Sequence, residues 1–566
     1  MNFSPDTKRL ALLAFIGFVF FAGLNWFPPF VSDEQPGANA AAAVTKKEAA
    51  DKAADFLRER FGARLAGGAG TAFVMFDAFA DESGYLLKER LYGDYEREWR
   101  KFVPIDHFRV EVADPETGAV YAVLIDMADG RVFGFDTLKS GLAFPATGKT
   151  DPAQAAEAGS ESAPRTAAEE AAVASVFAGL GYDAERFEAD ENSAKERRFV
   201  HAVRIGEASL AVRVKLNGDR VTGFMPEIRL PEAYAAWKED QDERGAVYGI
   251  YGLLTWLALA LAAAAVMVVR RREMEFGRGL LPALVFLIPY AIHNVNLYPG
   301  IRLSYADVPE AAGFGILFSQ FITMLMAVSV YLCLVAGEGL WRGMGHRLWP
   351  RFGGPEYGGE MMKGMARGYL LAFIVLGAQS LLFFAGGKLF GVWSTSDPLE
   401  SPYNLLEPGL YPLLSWSAAI SEEAVFRMFA FALFSVLLRP LARLAYRWSG
   451  RAILNNPLCY LVPAALLSGA LWALGHAGYA VYPVATRLVE VTVLGLIFAW
   501  AFLRYGFFAA LFAHASVDII IMALQIMAMD GKYAAFGIAY MAMPLAAASL
   551  FSFAARLKRR PLPDPR

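Results

Sequence analysis

The sequence predicts a polytopic all-α membrane protein of about ten transmembrane helices, with an inserted extracytoplasmic α+β region of two repeated helix-plus-antiparallel-sheet units. Three observations lead there. The 566 residues are 56% hydrophobic and 14% aromatic, with a mean hydropathy of +0.35, too apolar for an ordinary soluble chain of this length. The apolar residues gather in long runs that suit membrane spans. Charge is also divided: residues 31–246 hold 27 Lys and Arg against 39 Asp and Glu, net −12, which leaves 26 against 17, net +9, for the rest. An acidic soluble block joined to a basic membrane block does not point to nucleic acid as a partner. The two cysteines, Cys333 and Cys459, both lie in apolar runs, which argues against a disulfide framework or a cysteine-based zinc site.

Residues 1–31 form the first element. The run "LALLAFIGFVFFAGLNWFPPFV" (10–31) follows Lys8 and Arg9; no small-residue cleavage site stands out, and it reads as an uncleaved first helix. A polar block follows, with a first α+β unit at 32–145, an Ala/Gly/Ser/Pro-rich linker at 146–164 and a second unit at 165–246. The two units look duplicated. "YAVLIDMADGRVFGF" (121–135) and "LAVRVKLNGDRVTGF" (210–224) each alternate, turn at a Gly beside Asp or Asn, and alternate again, the pattern of a strand–turn–strand hairpin. Each is preceded by a helical stretch, at 46–62 and 165–182. This layout resembles PepSY-type modules found outside some bacterial membrane proteins.

Nine further apolar runs fall near 247–269, 279–298, 311–336, 368–391, 410–438, 457–478, 485–503, 507–528 and 534–556. Residues 247–364 hold helices two to four and a basic loop, 365–556 the remaining spans, and 557–566 a tail. With ten spans, Arg270–Arg272, the basic residues of 337–367, Arg439–Arg451 and Lys558–Arg560 all fall on one side, while the 392–409 loop has acids but no Lys or Arg. The positive-inside rule then places both termini in the cytoplasm and residues 32–246 outside, in a multi-pass protein of the cell (inner) membrane.

One run carries charge where a membrane helix should be: "SEEAVFR" (421–427). An ionised side chain in hydrocarbon costs at least about 2.5–3.5 kcal/mol. Glu423 and Arg427 are four apart and can pair on one helical face. Glu422 lies about 100° around the helix and needs a proton, a metal or a water-filled cavity. Taken alone, the stretch also fits a buried structural ion pair beside a protonated glutamic acid. Two other runs bear on the choice. "LWALGHAGY" (471–479) puts His476 at the end of an apolar segment, and "LFAHASVDII" (511–520) puts His514 and Asp518 on one helical face. Polar groups in lipid converge on one another or on water, so a shared cavity accommodates the two histidines, the two glutamates and Asp518. A carboxylate beside a histidine can activate water, and a second histidine can stabilise an oxyanion. Alternatively, Glu422, His476, His514 and Asp518 could ligate a divalent metal such as zinc. Counted along straight spans, Glu422 is mid-membrane, His476 near the outer end and His514 near the inner end. Meeting requires tilted or broken helices, and "GHAG" (475–478) offers glycines for a break. His293, Asn294 and Asn296 read as capping residues at a helix end, Trp349 and Tyr505 as interface anchors, and His107 and His201 as ordinary residues of the soluble block.

The three motifs, "EEAVFR" as EExxxR, "WALGH" as FxxxH with Trp472 in place of Phe, and "HASVD" as HxxxN/D, resemble in order and placement those of the CPBP family of intramembrane proteases, which includes the CAAX prenyl endopeptidases. The resemblance covers roughly 365–556. It implies that Glu422 activates water with His476, that His514 stabilises the oxyanion assisted by Asp518, and that Glu423, Arg427 and Trp472 support the site, Trp472 as an apolar wall. It also implies a membrane-associated protein or peptide as substrate, in contact with the bilayer, and leaves both a metal-dependent and a metal-free route open. The external block then recruits or senses a partner not identified by the sequence. Two other readings are a non-catalytic scaffold or immunity-type protein binding a partner through its external domain, and a proton-coupled transporter, for which no inverted repeat is visible.

Overall fold

The structure, a computed structural model, describes residues 5–26, 42–62, 72–139, 167–192, 196–218, 220–305 and 311–557; the 146–164 linker and the basic tail lie outside them. The chain forms two compact units. A helical unit takes Met1–Ser32, Glu239–Ser394 and Leu405–Arg566, and an α+β unit takes Asp33–Lys238 and Thr395–Asn404.

Helix α1 (Pro5–Trp26) belongs to the helical unit. The α+β unit follows with α2 (Lys46–Phe61), β1 (Ala72–Ala78), α3 (Ala80–Lys88), α4 (Tyr92–Glu98), β2 (Asp106–Ala113), β3 (Val120–Asp126), β4 (Val132–Lys139), α5 (Ala167–Gly179), β5 (Phe187–Asn192), β6 (Glu196–Ile205), β7 (Ala208–Asn217) and β8 (Arg220–Arg229). A capping box starts α2: Glu48 N–H donates to Thr45 Oγ1 and Thr45 N–H to Glu48 Oε2, satisfying two of the orphan donors of the helix end. The two halves do not fold as separate sheets. They form one antiparallel sheet in the order β1-β2-β3-β4-β8-β7-β6-β5. The join is the pair Phe135↔Phe224 with Asp136↔Gly223, so the last residues of the two similar sequence stretches sit opposite each other. Phe102, Phe133, Phe135, Phe177, Tyr182 and Phe224 make the aromatic core, and Tyr182 donates to the Phe102 and Phe133 carbonyls. His107 and His201 are buried in β2 and β6.

The next helix is longer than its apolar run. Helix α6 spans Glu232–Val269, about 57 Å at 1.5 Å per residue, where the hydropathy begins only at 247. Its first turns, "EAYAAWKEDQDERG", are rich in good helix formers that a hydropathy window passes over. Then come α7 (Leu280–Asn296), α8 (Tyr298–Ser304), α9 (Ala312–Gly343), α10 (Tyr357–Phe390), the short strand β9 (Trp393–Ser394), α11 (Leu414–Glu422), a π-helical stretch Glu423–Ala430, and α12 (Phe431–Ser449). Helix α13 (Leu458–Leu474), the strand β10 (Val481–Tyr482), α14 (Val484–Tyr505), α15 (Phe507–Met529) and α16 (Ala534–Leu557) complete the chain. Among the described residues nine helices are long and apolar enough to cross a membrane, and Leu458–Leu474 is a shorter apolar helix of 17 residues. This is a multi-pass membrane protein.

Close helix contacts are made through glycine. A Cβ on Gly17 would lie 2.2 Å from Phe373 O, and one on Gly377 2.4 Å from Gly17 Cα, so α1 and α10 meet backbone to backbone, as small residues permit in membranes. Trp349 is buried against Phe507 with Arg278 over its ring, rather than standing at a lipid-facing surface. Asn296 is more than a cap: its Nδ2–H donates to Glu407 O and its Oδ1 accepts from Glu407 N–H, clamping the segment that leads into α11.

Candidate active site

The helix bearing the two glutamates changes its winding at the glutamates themselves. Glu422 ends α11 and Glu423 opens the π-helical stretch. A π turn shifts backbone bonding to i→i+5 and is frequent at functional sites. Neighbouring side chains serve the displaced carbonyls: Ser468 Oγ donates to Phe426 O at 2.5 Å and Trp341 Nε1 to Arg427 O at 3.4 Å. Gly337 admits this wider stretch, since a Cβ there would lie 2.2 Å from Met428 O.

His476 comes from the break that the glycines offer. Helix α13 ends at Leu474, and Gly475–Gly478 form a turn. The Nδ1 of His476 faces Trp472 O at 3.1 Å. A carbonyl only accepts, so Nδ1 carries the proton and Nε2 is directed elsewhere. It lies 3.8 Å from Glu422 Oε2. Tyr479 stacks on the imidazole at 5.7 Å and 20°.

His514 comes from the second turn of α15, which starts after Gly506 at φ 86°. Its Nδ1 meets Glu423 Oε1 at 2.9 Å, and its Nε2 lies 3.6 Å from Glu422 Oε2 and 3.7 Å from Asp518 Oδ2. Glu423, expected to pair with Arg427, is the residue that fixes His514. Arg427 Nη1 stands 3.4 Å from the same Glu423 oxygen, and the guanidinium lies over Trp472 at 3.9 Å and Phe498 at 5.0 Å. Asp518 stands beyond hydrogen-bond distance of His514. Glu423 is fully buried, whereas Glu422 and Asp518 keep 18% and 22% of their side chains exposed, so the two carboxylates open to the accessible side of the cluster.

Trp472 is a polar participant. Its Nε1–H donates to Glu422 Oε2 at 2.5 Å, and its ring also meets His476 and His514 at 5.1 and 5.7 Å. A wall residue was expected here; the indole N–H is what a Phe lacks. Phe498, 4.9 Å from the His514 ring, had no signal in the sequence beyond its place in an apolar run.

All seven residues singled out by the motifs thus converge. Residues 404–520 match the family model for type II CAAX prenyl endopeptidase Rce1-like proteins. The match supports the CPBP family and, at family level, a CAAX-type intramembrane protease. It contains Glu422, Glu423, Arg427, Trp472, His476, His514 and Asp518, and leaves outside it α1–α10, α16 and all of the α+β unit but Asn404. No curated protein and no solved structure matches the chain.

Nδ1 of His514 is occupied by Glu423 and Nδ1 of His476 by a carbonyl, leaving their Nε2 atoms and the Glu422 and Asp518 carboxylates. Among the described residues no group of three or more His, Cys, Asp or Glu is arranged to hold a metal ion.

Proposed function

We propose that the chain is an intramembrane endopeptidase that hydrolyses a peptide bond of a membrane-associated protein or peptide. The observation that carries this reading is the convergence of three nitrogens on one oxygen: Trp472 Nε1, His476 Nε2 and His514 Nε2 lie 2.5, 3.8 and 3.6 Å from Glu422 Oε2. Glu422 with His476 takes a proton from water, and the water oxygen bonds to the scissile carbonyl carbon. The carbonyl electron pair moves onto oxygen, where His514 Nε2–H donates to it. With Nδ1–H on Glu423, that donation needs a second proton on the ring, and the carboxylates of Glu422, Glu423 and Asp518 balance its charge. The C–N bond then breaks as the proton held by Glu422 passes to the leaving amine, giving a carboxylic acid and an amine, and transfer of the acid proton to the amine leaves a carboxylate and an ammonium. Glu423 and Arg427 hold His514 and Trp472 in place.

Both termini are cytoplasmic in this reading and the acidic α+β unit is external, recruiting or sensing a partner. The test compares peptide termini in membranes of cells expressing the wild-type chain or Glu422→Ala at equal level, by mass spectrometry. New termini confined to wild type are expected and would name the substrate. Identical sets across several growth conditions would overturn the reading in favour of a binding role.

A further inference from the structure

We propose that α6 positions His476: the helix face carrying Gln241, Gly245, Gly252 and Trp256 holds the turn that presents this histidine to Glu422. The inference rests on the role given to His476 above, and it extends the site to a helix outside the 404–520 match.

The four residues are spaced 4, 7 and 4 apart, which keeps them on one face of a helix. The first three meet different points in or beside the turn that carries His476, and Trp256 meets the π-helical stretch that carries Arg427. A Cβ on Gly252 would lie 2.9 Å from Gly475 N and 3.0 Å from Gly475 Cα, and one on Gly245 3.1 Å from Ala477 O. Helix α6 therefore touches the backbone on both sides of His476; at Gly252 a side chain would force that backbone to shift, and at Gly245 it would be tight. Farther along, Gln241 Oε1 accepts from Val484 N–H at 3.1 Å, and Tyr482 Oη donates to the next residue, Asp242 Oδ1, at 2.9 Å. Beyond Gly252, the Trp256 ring meets Phe426, next to Arg427, at 5.8 Å. The turn is braced on its other strand as well, since β10 pairs with β9 and Trp393 packs on Tyr482 at 4.7 Å. The stretch between Leu474 and Val484 has glycine at two positions and no helical ladder of its own. Its placement is therefore set by what it lies against, and α6 supplies part of that surface, through Gly252, Gly245, Gln241 and Asp242.

The test uses the full-length protein in detergent, with Gly252→Leu, Asp242→Ala and Asp242→Asn. One readout is diethyl pyrocarbonate labelling of His476 relative to His514, by peptide mass spectrometry. The other is kcat and KM on a farnesylated reporter peptide with a CAAX-type C-terminus. Gly252→Leu is expected to raise His476 labelling severalfold without changing that of His514, and to lower kcat about a hundredfold, the scale of a 1 Å misplacement, at unchanged KM. Asp242→Ala should shift both in the same direction by less. Asp242→Asn, whose Oδ1 still accepts from Tyr482, should behave as wild type. If Gly252→Leu does not fold, the Asp242 pair decides. Unchanged His476 labelling in a folded Gly252→Leu, or in Asp242→Ala, overturns the proposal, as does Asp242→Asn behaving like Asp242→Ala. If wild type leaves the reporter intact, the chain does not act on this prenylated substrate class, and the labelling alone decides the positioning.

Discussion

The indole N–H of Trp472 donates to the carboxylate of Glu422 across 2.5 Å while the guanidinium of Arg427 lies 3.9 Å above the same ring. One side chain thus fixes the glutamate that faces both histidines and covers the buried cation beneath it. Trp472→Phe keeps the aromatic face and removes the donor. A hydrogen bond to a charged group contributes about 1.5–3 kcal/mol, and about 1.4 kcal/mol is tenfold in rate. Steady-state kinetics should show kcat falling by about ten- to a hundredfold with KM unchanged. An equal loss in KM would make Trp472 a substrate contact instead.

Glu422→Gln and His514→Ala remove the proposed base and oxyanion donor. Each is expected to cut activity by about a hundredfold or more while gel filtration and helicity in detergent stay as in wild type. Wild-type rates in either variant would refute the assigned roles.

Glu423→Ala should destabilise rather than only inactivate. It leaves Arg427 buried at 3% exposure without a carboxylate and frees His514 Nδ1. Breaking a buried pair costs about 3–5 kcal/mol. A clear drop in thermal midpoint is expected by scanning fluorimetry, larger than for Glu422→Ala, whose side chain is partly exposed.

Chelation is expected to leave cleavage of the reporter peptide intact, because the proposed steps use only the side chains of Glu422, His476 and His514. Loss of activity on chelation, restored by zinc, would assign Glu422, His476, His514 and Asp518 the ligand role that the motifs also allow.

The α+β unit has its own pH dependence. Burial pushes the Glu82 carboxyl up to about 7 from the ordinary 4.5, with Asp81, Asp77 and Glu227 adding to the shift. The folded state therefore holds this proton after the unfolded chain has released it. Stability falls as pH rises between about 4.5 and 7, and the full penalty remains above 7. Hydrogen exchange of the β1 and β2 amides in the full-length protein, corrected for intrinsic rate, should show this fall, and Glu82→Gln should flatten it.

Much of the site was legible because ionisable residues are rare in apolar helices. Glu422, His476 and His514 stood out for that reason, and the "GHAG" glycines marked the break that brings His476 to the others. What was not legible depends on geometry that spacing does not carry. Glu423 and Arg427 at i,i+4 suggested a simple pair, but the π-helical stretch and the approach of α15 give Glu423 to His514. Trp472 read as a larger Phe because a one-dimensional pattern does not reveal which way an N–H points. The two similar hairpins were visible, whereas their fusion into one sheet rests on the β4–β8 ladder, made by residues 89 positions apart. The start of α6 was hidden by its polar first turns, and with it the face that meets the His476 turn.

That ladder also orders events during synthesis. Chains emerge at about 5–20 residues per second, so β8 follows β4 by several seconds. Through that interval the first half of the sheet is the four strands β1-β2-β3-β4, with an unpaired row of backbone donors and acceptors on β4, the kind of edge that recruits strands from other chains. Phe135 waits for Phe224. The unit is therefore most vulnerable to mispairing not when it is unfolded but when it is half made, and a chain interrupted before Arg220 would carry that open edge permanently.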